Sequence, residues 1–250
     1  MARALSVNDI LTKKMRLLTL SQEWADAFGS PERTGVWFVW GASGNGKTSF
    51  VMQLCKELAR HGKVAYNSLE EGAGATMQNA LMRHGMRDVS RRFMVLDAEP
   101  MEEMEERMNR RQSPDFYVID SFQYTGMSYD AYRRFKAANP GKLLIFISQA
   151  KGKMPEGAAA VRVMYDASLK IYVEGFRAIS KGRFMGPKGF LTVWKEGAER
   201  YWGAAGVEKH NKNNIKTGNN EQEKRNCRDY TPSEEKEGGD CDPAKDMPVL

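Results

Sequence analysis

The glycine-rich stretch "GASGNGKTS", Gly41–Ser49, has residue types and spacing that suit phosphate binding. Its first eight residues match the Walker A pattern G-x-x-x-x-G-K-[ST], in which backbone N–H groups converge on a phosphate and the lysine neutralises its oxygens. Thr48 can ligate Mg²⁺. A glycine-rich turn that matches by chance is the alternative, but an apolar run precedes the stretch and a helical pattern follows it. We therefore predict that Thr48 ligates Mg²⁺ and that a nucleotide is bound by Gly41, Ala42, Ser43, Gly44, Asn45, Gly46, Lys47, Thr48 and Ser49.

Two carboxylates follow the next predicted strand, in the segment "YNSLEEG". If that strand neighbours the strand before the glycine loop, Glu70 or Glu71 faces the γ-phosphate and can orient and deprotonate the attacking water. The alternative is a pair of solvated glutamates at a helix start, where the helix dipole favours acids. We predict a catalytic role for Glu70, while Glu71 is balanced between the two interpretations.

Two other strands end in polar side chains that suit the same chemistry. Asp120 closes "DFYVID", and a carboxylate at such a strand end can hold Mg²⁺ together with Thr48. Its alternative role is to cap the next turn. Gln149 closes "LLIFISQ", where an amide can donate a hydrogen bond to the γ-phosphate and transmit its presence to the adjoining loop.

Two lysine-containing loops follow. Lys151 and Lys153 belong to "AKGKMPEGAAA", and Lys181 and Arg183 to "ISKGRFMGPKGF". Taken alone, the first pair is typical of a plain surface loop. The second pair, taken alone, is an ordinary set of turn cations.

Alternating apolar strands and amphipathic helices are predicted to position these groups. Strands are predicted at Gly35–Trp40, Lys63–Leu69, 92–98, Asp115–Asp120 and Lys142–Gln149. Helices are predicted from Thr48 to His61, from 76 to 84, from 100 to 111 and from 131 to 138. Continuous apolar strands of this kind are typical of a parallel sheet covered on both faces, so we predict an α/β fold.

The carboxyl-terminal half changes character. The runs "LKIYVEG", "FRAISKG", "GFLTVWKEG" and "ERYWG" are strand-like and separated by glycine turns, which predicts an antiparallel β-meander. Short helices are predicted at Val7–Lys13 and Gln22–Phe28. We predict an amino-terminal helical segment (1–34), an ATPase core (35–206) and a disordered polar tail (207–250) that could bind a protein partner through "DMPVL".

Composition limits the function classes further. No apolar run approaches the ~20 residues that span a bilayer, and the amino terminus has no apolar signal-peptide region, so we expect a cytoplasmic protein without membrane contact. Cys55, Cys227 and Cys241 are too scattered for a zinc site or a disulfide framework. Residues 207–250 hold eight basic and ten acidic residues, so the net charge of +6 leaves residues 1–206 at +8, which favours a polyanionic partner.

Together these segments resemble the RecA-like motor domain of DnaB-type replicative helicases and RadA-type recombination ATPases. "NSLEEG" is similar to their "SLEM" and "GEES", "VIDSFQY" to "IDSIQT" and "IDYLQL", and "SKGRFMGPKGF" to "KNRFG" and "KxRxGPxG". The resemblance spans roughly residues 35–194. It implies a RecA-like fold, ATP hydrolysis, and single-stranded DNA bound in a central pore by a mobile loop, Ala150–Ala160. Lys151 and Lys153 would contact the DNA phosphates there, and the alternative is a plain surface loop. Asp166 corresponds to a family aspartate at a strand entry.

The resemblance also implies a head-to-tail ring or filament. In those families the cations corresponding to Lys181 and Arg183 reach the neighbouring subunit's γ-phosphate. Gly182 replaces the Asn usual in RadA, and the predicted core is smaller than either family's full protein. These departures weaken the expectation of a processive helicase and favour a phage, plasmid or mobile-element relative.

Two other function classes remain open. An ATP-switched module could recruit a partner, as transposition and partition ATPases do. A KaiC-like regulator could use the same core without DNA. Hydrolysis strongly stimulated by single-stranded DNA would favour the motor, and DNA-independent turnover the regulator. Nucleotide-dependent capture of a second protein would favour the module.

Overall fold

The computed structural model describes residues 4–203. The predicted tail, residues 207–250, lies outside the described residues, and so does its final segment "DMPVL". Within residues 4–203, no helix is both long enough and apolar enough to cross a membrane.

A sheet of nine strands forms the centre of the fold. The strands are β1 (Gly35–Gly41), β2 (Val64–Ser68), β3 (Phe93–Asp97), β4 (Phe116–Asp120), β5 (Leu143–Lys151), β6 (Met154–Pro155), β7 (Leu169–Glu174), β8 (Arg177–Ser180) and β9 (Phe190–Thr192). Their order is β3-β2-β4-β5-β1-β7-β8-β9, and β6 pairs only with β5. The pairings from β3 to β7 are parallel, and those of β7–β8, β8–β9 and β5–β6 are antiparallel. The predicted α/β class and mostly parallel sheet are confirmed.

Eight α-helices accompany the strands in the described part of the chain. They are α1 (Val7–Leu11), α2 (Gln22–Phe28), α3 (Lys47–Leu58), α4 (Ala75–Arg83), α5 (Met101–Asn109), α6 (Tyr129–Ala138), α7 (Ala158–Asp166) and α8 (Lys195–Trp202). Short 3₁₀-helices occupy Met86–Val89 and Phe122–Thr125. The predicted start of α1 is explained by a capping box, in which Ser6 and Asp9 each accept a backbone N–H of the other. Gly29 ends α2 with φ of 68°.

Apolar side chains cover both faces of the sheet, as the continuous apolar strands predict. On one face, Trp37 and Val39 belong to a cluster with the buried side chains of α2, α3 and α4. On the other, Phe38 and Trp40 belong to a cluster with the buried side chains of α5, α6 and α7. Because side chains alternate along a strand, β1 supplies both clusters and is held between two helical layers. Because both faces of the sheet are packed, the carboxyl ends of the strands have fixed positions.

Two segments differ from the sequence prediction. "ERYWG", predicted as a strand, lies at the end of α8, where Gly197 and Ala198 are buried and Trp202 Nε1 donates to Gly175 O at 3.0 Å. Its Tyr and Trp residues favoured a strand by composition, but the packing follows helical spacing. The prediction of a mobile loop at Ala150–Ala160 is also wrong. It contains the tight β5–β6 hairpin and, from Ala158, the first turn of α7, and Asp166 is the last residue of α7.

Candidate functional site

The carboxyl ends of the parallel strands bring the predicted groups to one edge of the sheet. Gly41 at the end of β1 pairs with Gln149 in β5, and Asp120 at the end of β4 pairs with Ser68 in β2. In the sheet order β5 separates β1 from β4. Adjacent strands are about 4.8 Å apart, so Gln149 lies between the glycine loop and Asp120.

Glu70 reaches this edge although its strand is not next to β1. Its strand, β2, does not neighbour β1, because β4 and β5 lie between them. The backbone N–H groups of Leu69 and Glu70 both donate to Asp120 O, at 2.7 and 3.2 Å, so the chain after β2 bends across the end of β4. Gln149 Nε2 then donates to Glu70 Oε1 at 3.1 Å. The adjacency of β2 and β1, on which the expectation for Glu70 depended, is therefore absent, but Glu70 still contacts Gln149 beside the glycine loop.

The glycines of the loop have steric reasons. A Cβ on Gly41 would lie 2.2 Å from Val173 O, which is backbone and cannot move aside. Gly46 has φ of 91°, and its Cβ would lie 2.9 Å from Phe176 Cδ1. Gly41 and Gly46 are the first and last glycines of the motif. At each position, the β7–β8 segment packed against the loop leaves no room for a Cβ atom.

Asn45 attaches the loop to the turn between β7 and β8. Its Oδ1 accepts a hydrogen bond from Gly175 N at 2.8 Å, and its backbone oxygen accepts one from Phe176 N at 3.2 Å. Lys47 Nζ donates to Ala42 O at 3.0 Å, which closes the loop on itself. Burial lowers the pKa of the Lys47 ammonium, while Asp120 and Glu70 oppose that shift.

A cavity of about 350 Å³ opens at this loop. Its lining contains every residue predicted for catalysis or metal binding except Lys181 and Arg183, and it lacks Gly41, Ala42 and Asn45 of the glycine loop. The lining members from the predictions are Ser43, Gly44, Gly46, Lys47, Thr48, Ser49, Glu70, Glu71, Asp120 and Gln149. Cations, carboxylates, hydroxyls and an amide thus face one space that is large enough for the phosphates of a nucleotide.

Asp120 is the most perturbed carboxylate of the cavity. The hydroxyl of Tyr66 donates a hydrogen bond to Asp120 Oδ2, and the peptide bond from Asp120 to Ser121 is cis. Burial raises the pKa of Asp120 to about 6; the hydrogen bond from Tyr66 and the charge of Lys47 lower it, and the charges of Glu70 and Glu71 raise it. An ionised Asp120 is therefore costly until a cation approaches it.

Replacing Asp120 with asparagine is expected to stabilise the ligand-free protein at neutral and alkaline pH. Because its folded-state pKa lies above the ordinary value of 3.8, folding favours the protonated acid and is penalised as pH rises through about 4 to 6. The gain for Asp120→Asn should be about 1–3 kcal/mol at pH 8 and vanish near pH 4. Urea unfolding at several pH values measures it. Asp130→Asn removes an exposed carboxylate from α6 and should give no increase in stability between pH 4 and pH 8. An equal gain in stability for Asp120→Asn at pH 4 and pH 8 would contradict the raised pKa of Asp120.

The residues fit a magnesium ion that is held together with a nucleotide. No group of three or more His, Cys, Asp or Glu side chains in residues 4–203 could hold a metal alone. Thr48 and Asp120 line the cavity and offer one hydroxyl and one carboxylate. Mg²⁺ commonly takes one or two protein oxygens and completes its shell with phosphate oxygens and waters. The donor set therefore suits Mg²⁺ with ATP.

A hydrogen-bonded chain joins Gln149 to the β5–β6 hairpin. Gln123 Nε2 donates to Ser148 Oγ at 2.7 Å and to Glu156 O at 3.0 Å. Glu156 N donates to Gln149 O at 2.9 Å. Lys151 and Lys153 lie on the hairpin, exposed and outside the cavity lining, and Trp40 Nε1 donates to Lys153 O at 3.0 Å. Through its backbone oxygen, Gln149 is thus hydrogen-bonded to the residue that follows the hairpin.

Lys181 and Arg183 lie at the opposite edge of the sheet. Lys181 N donates to Lys170 O at 2.8 Å and Arg183 N to Ser168 O at 3.4 Å, beside the amino end of β7. The glycine loop packs at the other end of that strand. With a rise of about 3.3 Å per residue, the two edges are roughly 20 Å apart. Both side chains are exposed, and neither could contact the cavity of its own chain.

The cavity lining also contains nine residues that were not predicted: Tyr66, Ser68, Met77, Ala80, Arg83, Ser121, Ile147, Ser148 and Phe176. Tyr66 and Ser121 accompany Asp120, Arg83 comes from the last turn of α4, and Phe176 follows β7. Alternation along β2 places Tyr66 and Ser68 on one face, which is a signal the sequence carries. Which face meets the loop depends on sheet order, so sequence alone could not select them. No protein-family model matches the chain, and no curated protein matches its sequence.

Proposed function

We propose that this protein is a RecA-like ATPase that binds ATP with Mg²⁺ and acts on DNA as a head-to-tail oligomer. The observation that carries the proposal is the convergence of Lys47, Thr48, Glu70, Asp120 and Gln149 on one cavity. These groups come from three different strand ends and one helix start, and their functional types match the requirements of phosphoryl transfer to water. The sequence resemblance supports the same class.

The glycine loop would bind the β- and γ-phosphates of ATP. The amino terminus of α3 directs its free N–H groups toward an anion there, and Lys47 adds a charge that ion pairing with phosphate would stabilise. Thr48 and Asp120 would hold Mg²⁺, which supplies positive charge to the phosphate oxygens when bound. Burial makes the charged forms of Lys47 and Asp120 costly. A bound ligand of opposite charge would offset that cost.

Glu70 is the proposed general base. Its carboxylate faces the cavity and accepts a hydrogen bond from Gln149 Nε2 at 3.1 Å. A γ-phosphate within reach of Gln149 would compete for that amide, because the phosphate is a stronger acceptor of charge-assisted hydrogen bonds. Glu70 would then be free to accept a proton from water. The same exchange would couple nucleotide state to the β5–β6 hairpin through Glu156.

The position of Lys181 and Arg183 supports an oligomer. Because both cations lie at the edge opposite their own glycine loop, only the cavity of another copy could receive them. An interface between two different edges of identical subunits is heterologous and produces rings or filaments. Such an assembly would also repeat the β5–β6 hairpin around or along a common DNA strand.

The test is ATP hydrolysis with and without single-stranded DNA at several salt concentrations. We expect DNA to stimulate the rate, and Lys151→Ala/Lys153→Ala to reduce the slope of log affinity against log salt by about 1.4, because about 0.7 counterions are released per contact with a single strand. Lys13→Ala/Lys14→Ala removes equal exposed charge elsewhere and should keep the slope. Lys47→Ala reveals any contaminating ATPase.

Each result separates the candidate functions. A rate that single-stranded DNA leaves unchanged contradicts the motor and favours the DNA-independent regulator. Slow hydrolysis with ATP-dependent capture of a second protein favours the recruiting module. If the wild-type protein binds no ATP in a fluorescent-nucleotide titration, the ATPase proposal itself is wrong.

A further inference from the structure

Tyr66 occupies a polar corner of the cavity that the proposed mechanism does not use. Its side chain is 1% exposed, although it carries a hydroxyl, and it lines the cavity together with Ser68, Asp120 and Ser121. Ser121 is also 1% exposed, and its Oγ has no hydrogen-bond partner within residues 4–203. Buried hydroxyls rarely stay unpaired. The corner therefore has hydrogen-bonding capacity that a ligand or its bound water could complete.

Strand register explains how Tyr66 meets Asp120. Tyr66 in β2 lies opposite Val118 in β4, and Ser68 lies opposite Asp120. Tyr66 and Asp120 are therefore diagonal neighbours on one face, a separation of about 7–8 Å between Cα atoms that a long aromatic side chain can span. The phenol hydroxyl completes the span by donating to Asp120 Oδ2.

The contact restrains the carboxylate. Within the described residues, Tyr66 is the one group that donates a hydrogen bond to the carboxylate of Asp120. A tyrosine hydroxyl carries its proton at neutral pH and donates a hydrogen bond to a carboxylate. With Oδ2 engaged, rotation of the carboxylate is limited and Oδ1 remains available to another partner.

We infer that Tyr66 is a positioning residue for magnesium: it holds the Asp120 carboxylate in the orientation that accepts the metal of the ATP complex. The inference rests on the proposed function and extends it to a residue outside the sequence motifs. Outer-shell hydrogen bonds of this kind orient metal-binding carboxylates, and their loss commonly weakens metal affinity by about 10- to 100-fold.

The test is Tyr66→Phe, which keeps the ring and removes the hydroxyl. We expect about tenfold weaker Mn²⁺ binding to the ADP complex, measured from the free Mn²⁺ signal by electron paramagnetic resonance. Nucleotide affinity in EDTA should stay within about twofold of wild type, because the glycine loop is unchanged. In ATPase assays the Mg²⁺ concentration for half-maximal rate should rise similarly, and excess Mg²⁺ should restore most of the maximal rate.

A matched control and a double-mutant cycle separate positioning from a packing defect. Tyr117→Phe removes a hydroxyl from an equally buried tyrosine on β4 that does not line the cavity, so its metal dependence should equal that of wild type. If Tyr66 acts through Asp120, Tyr66→Phe should have no further effect on metal affinity in an Asp120→Asn background. Thermal unfolding identifies any variant that is not folded.

The outcomes also distinguish this inference from the proposed function. A wild-type protein that binds neither ATP nor Mn²⁺–ADP contradicts the proposed function. A wild-type protein that binds and hydrolyses ATP, with an unchanged metal dependence in Tyr66→Phe, contradicts only the role of Tyr66. Equal, additive losses in the Asp120→Asn background would also overturn it, because Tyr66 would then act independently of the carboxylate.

Discussion

Arg183→Ala is expected to lower the ATPase rate of the assembled protein by about 10³–10⁵-fold, the range known for cations that stabilise the charge of the transferring phosphoryl group. ATP affinity should change much less than the rate, because such a cation acts on charge that develops in the transition state, while the glycine loop is unchanged. Single-turnover hydrolysis and fluorescent-nucleotide binding measure the two effects separately. Lys181→Ala should act in the same direction, since both cations lie exposed at one edge.

Mixing variants tests whether the cation acts between subunits. Arg183→Ala retains an intact cavity and Lys47→Ala retains an intact edge, so mixed oligomers would contain some complete sites and regain part of the activity. Lys188→Ala is the matched control, because its ammonium lies 4.9 Å from the centre of the Phe190 ring of its own chain. A rate per subunit that is independent of concentration, with Arg183→Ala as fast as wild type, would remove the case for a shared site.

Glu70→Gln is expected to lower kcat by about 10²–10⁴-fold, the usual contribution of a positioned general base. The glutamine keeps an oxygen that can accept from Gln149 Nε2, as Glu70 Oε1 does at 3.1 Å, so the local geometry should persist. ATP binding should remain, and a slowly hydrolysing ATP complex should accumulate. Single-turnover hydrolysis with radiolabelled ATP separates this loss of chemistry from a loss of binding.

Glu71→Gln is the matched control for the assignment of the base. Both glutamates line the cavity, but Glu70 alone has a hydrogen bond to Gln149 within the described residues. We expect Glu71→Gln to keep a rate within about tenfold of wild type, since a neighbouring charge contributes less than a proton-accepting group. A larger loss in Glu71→Gln than in Glu70→Gln would transfer the role of the base to Glu71.

Much of the fold could be predicted because strand burial leaves a clear pattern. The continuous apolar runs of β1, β4 and β5 predict strands covered on both faces, and both faces are covered. Helix α2 was predicted with its observed bounds, since Ser21 precedes it and Gly29 ends it. Helix α7 was not predicted and α8 was predicted in part as a strand; both are short and rich in alanine, glycine or aromatic residues. Their structure depends on the surfaces they pack against.

The candidate site was only partly predictable for a related reason. The glycine loop is a local motif, so its residues and their chemical types are visible in one stretch of chain. Distance along the chain says nothing about the contact between Glu70 and Gln149, which are 79 residues apart. That contact exists because Asp120 O accepts the N–H groups of both Leu69 and Glu70 and bends the chain across β4.

The sequence by itself determined the α/β class, the glycine loop and the strand ends that carry Glu70, Asp120 and Gln149, because these follow from local spacing and from the period of burial. The tertiary structure decided that β4 and β5 separate β2 from β1, that Tyr66 contacts Asp120, and that Lys181 and Arg183 lie at the far edge. Those relations depend on strand order and direction. Both are set by packing between residues far apart in the chain.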